Sequence, residues 1–547
     1  MLWAVACPKA RGQKQGDDEK QGDVHNTFPV RRNGFVSLKN KNVPLLFVPL
    51  LFALFLFLMG IFAAPRIEAA DLFFNDEPEV YAAIDRLSAL GYLPGLPANT
   101  RPYSIRAIRE ATARAPRTAA PGGFDGELLR WLAAYVAPNQ MGRVTGAAAH
   151  SDSRFTPANN QGIPVPKGWS GLASVAVREQ TTPLVNGQVR FLSFYGEGGD
   201  EGNRLLDASL EVGSPWFALQ AGKISTWYGP GRHGALLLTS NAAPYPGVRI
   251  HNPQPIPVPG RLSVLGNLQY DFFVARMEKK AEFSHSLLAG TRLAVRTGKW
   301  FEFGFSRVLH YGGEGRDDGI SELFTDYFGN HEESGRSNPL TGFDITMTLP
   351  FAFQPVQVYW ERAVEDDSRL GRMFLPWSGT GGDILGLYFP RILGISRLDL
   401  RLEYADTYSG EARDDNWYGH SAYPHRYRGE ILGHAMGGSA RDWFVESRYH
   451  LRPDSYAGIS CESLLRDGAD ARGERRLIVS AGLVGWLSEK WRGEAHASWD
   501  RVTGEGGIPG RNGSDVSAWV ALSWQTNTLV PPDEQEVPLR EYQGVPR

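Results

Sequence analysis

The sequence predicts a mainly β protein: a large antiparallel transmembrane β-barrel of 16–18 strands, with 18 the expected number, preceded by a small periplasmic three-helix domain. Three observations predict it. From Trp169 onward, apolar residues recur with period two in runs of about 8–12 residues, the length a tilted membrane strand needs; soluble sandwich strands average nearer about 5–6. The connections fall into two kinds. Gly298–Lys299 and Leu487–Lys490 are short, whereas Gly312–Pro339, Ala363–Gly382 and Tyr408–Arg441 are long and polar. Short turns at one end and long loops at the other is the asymmetry of an outer-membrane barrel. Finally, 547 residues with 62 Gly, 15 Trp and 20 Tyr have a mean hydropathy of only −0.30, too polar for a helical membrane protein. A large propeller would share that composition, but no repeat of fixed period is present.

Residues 1–70 read as a polar lead plus a signal peptide. Arg31, Arg32, Lys39 and Lys41 precede the apolar run Val43–Ala64, and Ala69–Ala70 offers small residues for cleavage before Asp71. The run is long enough for a single-pass anchor, but Pro44 and Pro49 weaken a spanning helix. The polar lead is read as lying upstream of the true start. Without residues 1–70, 48 Lys/Arg stand against 55 Asp/Glu, a formal charge of −7. A net-negative chain without a basic cluster argues against nucleic acid as partner. Cys7 falls in the lost segment, so Cys461 remains alone, no disulfide is expected, and Cys461 is read as a small buried residue.

Residues 71–140 read as the periplasmic helical domain. Val80, Tyr81, Ile84, Leu87 and Leu90 keep helical spacing behind Pro78. Ser104 can cap a second helix through Ala115, and Asp125 a third over Gly126–Ala137, stopped by Pro138. Residues 141–526 read as the barrel. Within them Val144–Gly168, rich in Gly, Asn, Pro and Ala, reads as a linker or an irregular first crossing. Seventeen candidate strands follow, from 171–179 to 514–525, with 262–269 and 271–279 taken as separate strands. The clearest is Leu398–Tyr404, LDLRLEY, whose Leu, Leu, Leu and Tyr face one way and Asp, Arg and Glu the other. Barrels of this kind have even strand numbers, so a further strand is expected. Residues 527–547, with four prolines, read as a C-terminal tail.

Two loops concentrate the polar aromatic chemistry. Gly222–Arg249, GKISTWYGPGRHGALLLTSNAAPYPGVR, packs glycines and Pro230 around Arg232 and His233, with Trp227, Tyr228 and Asn241 nearby. Glycine and proline give such a loop a fixed shape. It suits reading a polar ligand, or simply crossing between strands. In Tyr418–Arg441, the residues Tyr423, His425, Arg428 and His434 suit a carbohydrate-facing loop: Tyr faces stack on sugar rings, and Arg and His donate to hydroxyls or uronate carboxylates. Trp227, Tyr228, Arg232, His233, Asn241, Tyr423, His425, Arg428 and His434 are thus the candidate ligand contacts. His420, His425 and His434, at spacings of five and nine, match no zinc pattern, so no metal is expected. The acidic pairs Asp317–Asp318, Asp366–Asp367 and Asp414–Asp415 are sequence neighbours, not the carboxylates a glycosidase sets across a bond. No nucleophile–base set, phosphate loop or dinucleotide fingerprint occurs, so neither catalysis nor a cofactor is expected.

Trp227–Arg249 resembles the signature loop of the Wzi family of capsule-assembly outer-membrane proteins. Tyr427–Phe444, YRGEILGHAMGGSARDWF, resembles a second region of that family, and the opening helices with RPYSI at Arg101–Ile105 resemble its periplasmic helical part. The likeness covers Asp71 to about Gln525. It implies a barrel of about eighteen strands closed by helices, acting as a lectin in surface attachment of capsular polysaccharide. The expected partners are then surface polysaccharide, outer-membrane lipid and the barrel-insertion machinery, with the protein a monomer. A porin-like channel and an outer-membrane enzyme acting on glycan or lipid are the alternatives.

Overall fold

Period-two sequence from Gln140 to Gln525 folds into eighteen antiparallel strands that close on themselves. The structure is a computed structural model. It describes residues 72–526 except 73, 75, 116–122, 139, 183–184, 198, 280–282, 329–336, 350, 352–353, 366–380, 409–416 and 468–472. The expected signal segment, the tail 527–547 and the pairs Asp366–Asp367 and Asp414–Asp415 lie outside the described residues.

The first six strands are β1 Gln140–Ser151, β2 Gly168–Thr182, β3 Val185–Gly196, β4 Glu201–Ser214, β5 Phe217–Ile224 and β6 Tyr245–His251. Then follow β7 Asn267–Arg276, β8 Leu287–Thr297, β9 Phe301–Tyr311, β10 Ser337–Leu349, β11 Val356–Glu365, β12 Gly381–Phe389 and β13 Leu398–Asp406. The last five are β14 Ala440–Arg452, β15 Ser455–Arg466, β16 Glu474–Trp486, β17 Trp491–Thr503 and β18 Asn512–Gln525. Each pairs with its chain neighbour, and β1 closes the barrel by pairing with both β2 and β18, Ala147 facing Leu172 on one side and Ala521 on the other. Closure leaves no free edge for another chain to extend.

Several sequence expectations change. The linker reading of Val144–Gly168 gives way to β1. Its run GRVTGAAAH is so rich in Gly and Ala that hydrophobic alternation is faint, and only pairing on both sides reveals it. The candidate 262–269 is instead a 3-10 turn, Gly260–Leu265, leading into β7, while β6 lies in a run that its Pro and Gly made look like a turn. Cys461 is exposed, not buried. It shares the outward row of β15 with Ile459, whose 58 % exposure marks the outer face of the barrel. Val175, Val189, Leu210, Leu483, Val520 and Leu522 extend that apolar outer belt.

Three helices seat at the end where the turns are short: α1 Pro78–Ala89, α2 Ile105–Ala113 and α3 Phe124–Val136. Ser104 caps α2 as expected, its Oγ accepting from the Ala107 N–H at 3.3 Å. Asp125 does not cap α3, which starts at Phe124 after Gly123. Its carboxylate instead accepts from Arg86 Nε at 2.9 Å and from Arg391 at 3.0 Å. Leu87, Ile108, Leu128 and Leu132 share one core with Trp486 of β16. Each such burial is worth about 1.5–3 kcal/mol, so the helices and the barrel wall stabilise one another. Arg492 of β17 grips both oxygens of Glu79 at 2.7 Å, and Gly95 N–H donates to the Gly298 carbonyl of the β8–β9 turn at 3.0 Å.

Candidate functional site

The run Ser225–Pro244, between β5 and β6, turns into the barrel rather than away from it. Its short strand Trp227–Tyr228 pairs with Thr100–Arg101, which reaches in from the helical end. Leu236, Leu237 and Leu238 are completely or almost completely buried in a core shared with Trp417, Tyr418, Leu432 and Met436 of the second loop and with Val308, Leu340, Ala363, Ile384 and Ala405 of the wall. Two sequence-distant loops therefore form one plug. Two glycines are fixed by close approach. At Gly234 a Cβ would stand 2.1 Å from His434 Cδ2, and at Gly229, where φ is +140°, 2.3 Å from Glu361 Oε2.

A tightly turned loop leaves backbone N–H groups that no ladder satisfies, and burying them unpaired is costly. Carboxylates on the wall take them. Glu361 of β11 accepts from Leu236 N–H at 2.7 Å, and Glu365 from Tyr418 N–H at 2.7 Å. Glu403 of β13 accepts from Arg232 and His233 N–H at 2.7 and 3.0 Å and from the Tyr359 hydroxyl at 2.7 Å. Glu302 of β9 does the same for Ala98 and Asn99. Charge-assisted bonds of this kind are about twice as strong as neutral ones.

The nine predicted contacts fall into this frame as follows. Trp227 is buried beneath the Arg101 guanidinium, 5.2 Å from its ring centre, and Tyr228 donates its hydroxyl to Asp271 at 2.7 Å. Arg232 donates to Asp85 of α1 at 2.6 Å. Burial raises the Asp85 pKa, but Arg232, Arg101 and Arg401 outweigh it and hold the carboxyl below its ordinary value. Asn241 is buried and accepts from Asn159 N–H at 2.9 Å. Tyr423 donates to the Gly312 carbonyl at 3.0 Å. His425 donates Nε2–H to the Leu237 carbonyl at 2.6 Å, joining the two loops directly; burial pushes its pKa down to about 4. His434 accepts from Met436 N–H through Nδ1 at 3.2 Å, and burial, with the nearby His233, lowers its pKa to about 3.

His233 stands apart. Its ring stacks on Phe444 at 4.0 Å, and Nε2 meets Asp442 of β14 at 3.1 Å and Glu462 of β15 at 3.4 Å. Burial lowers its pKa, but Glu462 and Asp442 overcome that and leave it well above the ordinary imidazole value. Arg428 is the one predicted contact of the nine that is exposed, with its guanidinium over the Tyr427 ring at 5.3 Å. Its charge bears on both Arg204 of β4 and Lys223 of β5, each partly exposed. Sequence reading missed those two, because they lie in strands more than 200 residues from Arg428 and only barrel closure brings them to its end. A cavity of about 230 Å³ lies beneath the plug, lined by Tyr81, Asp85, Arg101, Trp227, Arg448 and Tyr456 among others. Asp317 and Asp318 are exposed in a long loop.

Residues 137–500 match the family model described as Capsule assembly protein Wzi. A Klebsiella pneumoniae protein described as an uncharacterized 55.8 kDa protein in the cps region is 31 % identical over 156 residues, 27 % of this chain; the match spans 31 % of that relative's length. Among solved structures, the Escherichia coli protein Wzi, described as an outer-membrane protein involved in group 1 capsule assembly and a carbohydrate-binding β-barrel, superposes with a TM-score of 0.66 at 19 % identity, over 84 % of this chain and 99 % of that one. At that identity the superposition speaks for the fold, while the family model covers well over half of the sequence; this chain belongs to the Wzi family of capsule assembly proteins.

Proposed function

We propose that this protein is a plugged outer-membrane barrel that binds an acidic capsular or exopolysaccharide at the cell surface and assists its attachment, without turning it over. The observation that carries the reading is the grouping of Arg204, which donates to the Gly162 carbonyl of the first long loop at 2.7 Å, with Lys223 and the exposed Arg428 at the long-loop end, where Glu278 and Glu430 are the acidic neighbours. Guanidinium groups pair with uronate carboxylates through two parallel hydrogen bonds, and their grouping suits a repeating anionic chain. The description of the Escherichia coli relative as carbohydrate-binding supports it. On this reading the apolar outer belt meets outer-membrane lipid, the short-turn end is periplasmic, and a signal peptide cleaved near Ala70 delivers a monomer to the insertion machinery. Trp227, Tyr228, Arg232, Asn241, Tyr423, His425 and His434 hold the plug in place and set the position of Arg428, instead of touching sugar themselves.

The test is binding of purified full-length protein to immobilised surface polysaccharide. Replacing Arg204 and Arg428 together with Ala is expected to weaken binding at least tenfold, and more at low salt, since exposed charges are screened. Unchanged binding by the double variant, or release of shortened glycan by the wild type, overturns the reading.

A further inference from the structure

The contact between His233 and the wall contains more negative charge than an imidazole needs. Its single Nε2 is shared by two carboxylates, Asp442 Oδ2 at 3.1 Å and Glu462 Oε2 at 3.4 Å, and one Nε2–H cannot serve both well. All three candidate ligand atoms lie within 4.8 Å of one another. The second oxygen of Asp442, Oδ1, is buried without a hydrogen-bond partner, on a side chain only 1 % exposed. With His233 protonated and both carboxyls ionised, the three side chains carry a net charge of −1, part of which Arg466 beside Glu462 offsets. With a neutral imidazole and a divalent cation it is neutral.

We propose that His233, Asp442 and Glu462 form a binding site for a first-row divalent metal ion of zinc or cobalt type, which ties the plug to β14 and β15. The ligand set favours such an ion, because imidazole nitrogen is a poor partner for calcium or magnesium. The two nitrogen-to-oxygen spacings, 3.1 and 3.4 Å, fit as well. Ligands bound at about 2.0–2.2 Å and separated by angles of 90–110° stand roughly 2.9–3.5 Å apart. The imidazole is held for the purpose: its ring lies flat on Phe444 with 7° between planes, and its backbone N–H is fixed by Glu403. Asp442 and Glu462 are on neighbouring strands, so the wall side of the site is rigid. On binding, the Nε2 proton leaves to solvent, and Asp442 Oδ1 becomes available as a second oxygen on the metal.

The site is independent of the glycan reading and is tested without glycan. Full-length protein in detergent is stripped with chelator and desalted. It is then given one equivalent of Co(II), and in parallel Zn(II), and desalted again. The expected result is close to one retained metal per chain, a visible Co(II) absorption band, and slower proteolysis within 225–244 with Zn(II). His233→Ala and, separately, Glu462→Gln are expected to weaken retention at least tenfold while keeping the heat-dependent gel shift of a folded barrel. Asp442→Asn checks the same loss without removing volume. No retained metal in the wild type, or equal retention in variants that still show the gel shift, means that the group is an ion pair only and overturns the proposal.

Discussion

The two halves of the barrel wall face the lumen differently. On β9 and β10 the inward positions Glu302, Ser306, Asn338, Asp344 and Thr346 are all buried, and on β11 and β13 so are Glu361, Arg401 and Glu403. Every one of these strands carries charge turned inward, and much of it is paired: Arg292 with Asp344 at 2.6 Å, Arg296 with Glu302 at 3.0 Å. On β15 to β17 the inward positions at mid-height, Gly458, Ser460, Ser480, Gly482, His496 and Ser498, are small or mildly polar and remain partly exposed, and inward charge is confined to the two ends, in Arg466–Glu474 and Arg476–Asp500 at one and Arg492–Glu79 at the other. The plug thus leans on one half and leaves space along the other. Buried ion pairs are poor sources of net stability, but breaking one side of such a pair is expensive. The dense half is therefore best understood as a fitted socket whose Glu residues receive the plug's backbone, and the sparse half as a vestibule ended by Trp486 and the Arg492–Glu79 pair.

The largest effect should come from emptying the socket. Glu361→Ala with Glu403→Ala leaves the N–H groups of Leu236, Arg232 and His233 without acceptors, at about 1–3 kcal/mol each. The plug is expected to become cleavable within 225–244 while the barrel keeps its heat-dependent gel shift. Next comes acid. His425 titrates at about 4 in the folded plug and near 6.5 when released, so the released form binds more protons between those values. Plug stability is expected to be intact above pH 6.5 and to fall by roughly 3 kcal/mol as the pH drops towards 4, read as faster amide exchange over Trp417–Ser439. His425→Gln should remove the share of that dependence due to His425 and leave the share of His434, whose pKa burial lowers to about 3.

A matched pair of glycines sharpens the contrast between the halves. At Gly386 of β12 a Cβ would stand 1.9 Å from the Tyr359 ring, whose hydroxyl serves Glu403; at Gly482 of β16 the nearest atom is 3.6 Å away. Gly386→Ala is expected to cost about 1–3 kcal/mol by overpacking. Gly482→Ala should change stability by no more than about 0.5 kcal/mol. The temperature at which the gel shift is lost reads both.

The barrel was legible because alternation and loop asymmetry are local signals, strongest where side chains differ sharply, as in Leu398–Tyr404. It faded where both faces are small, at β1, and where Pro246 and Gly247 interrupt β6. The importance of Gly222–Arg249 was legible from its glycines, and its inward fold follows from Leu236–Leu238, which water would not tolerate exposed. Its partners were not legible. Glu361, Glu403, Asp442 and Glu462 each look like an ordinary alternating strand residue, and only closure of eighteen strands sets them against a loop more than 120 residues away.

That the plug closes the lumen is tested most directly by planar-bilayer recording of the purified full-length protein. The wild type is expected to give no steady single-channel current, and the Glu361→Ala/Glu403→Ala variant to give discrete openings. Steady current steps from the wild type would contradict a sealed, glycan-holding barrel and return the protein to the class of diffusion channels.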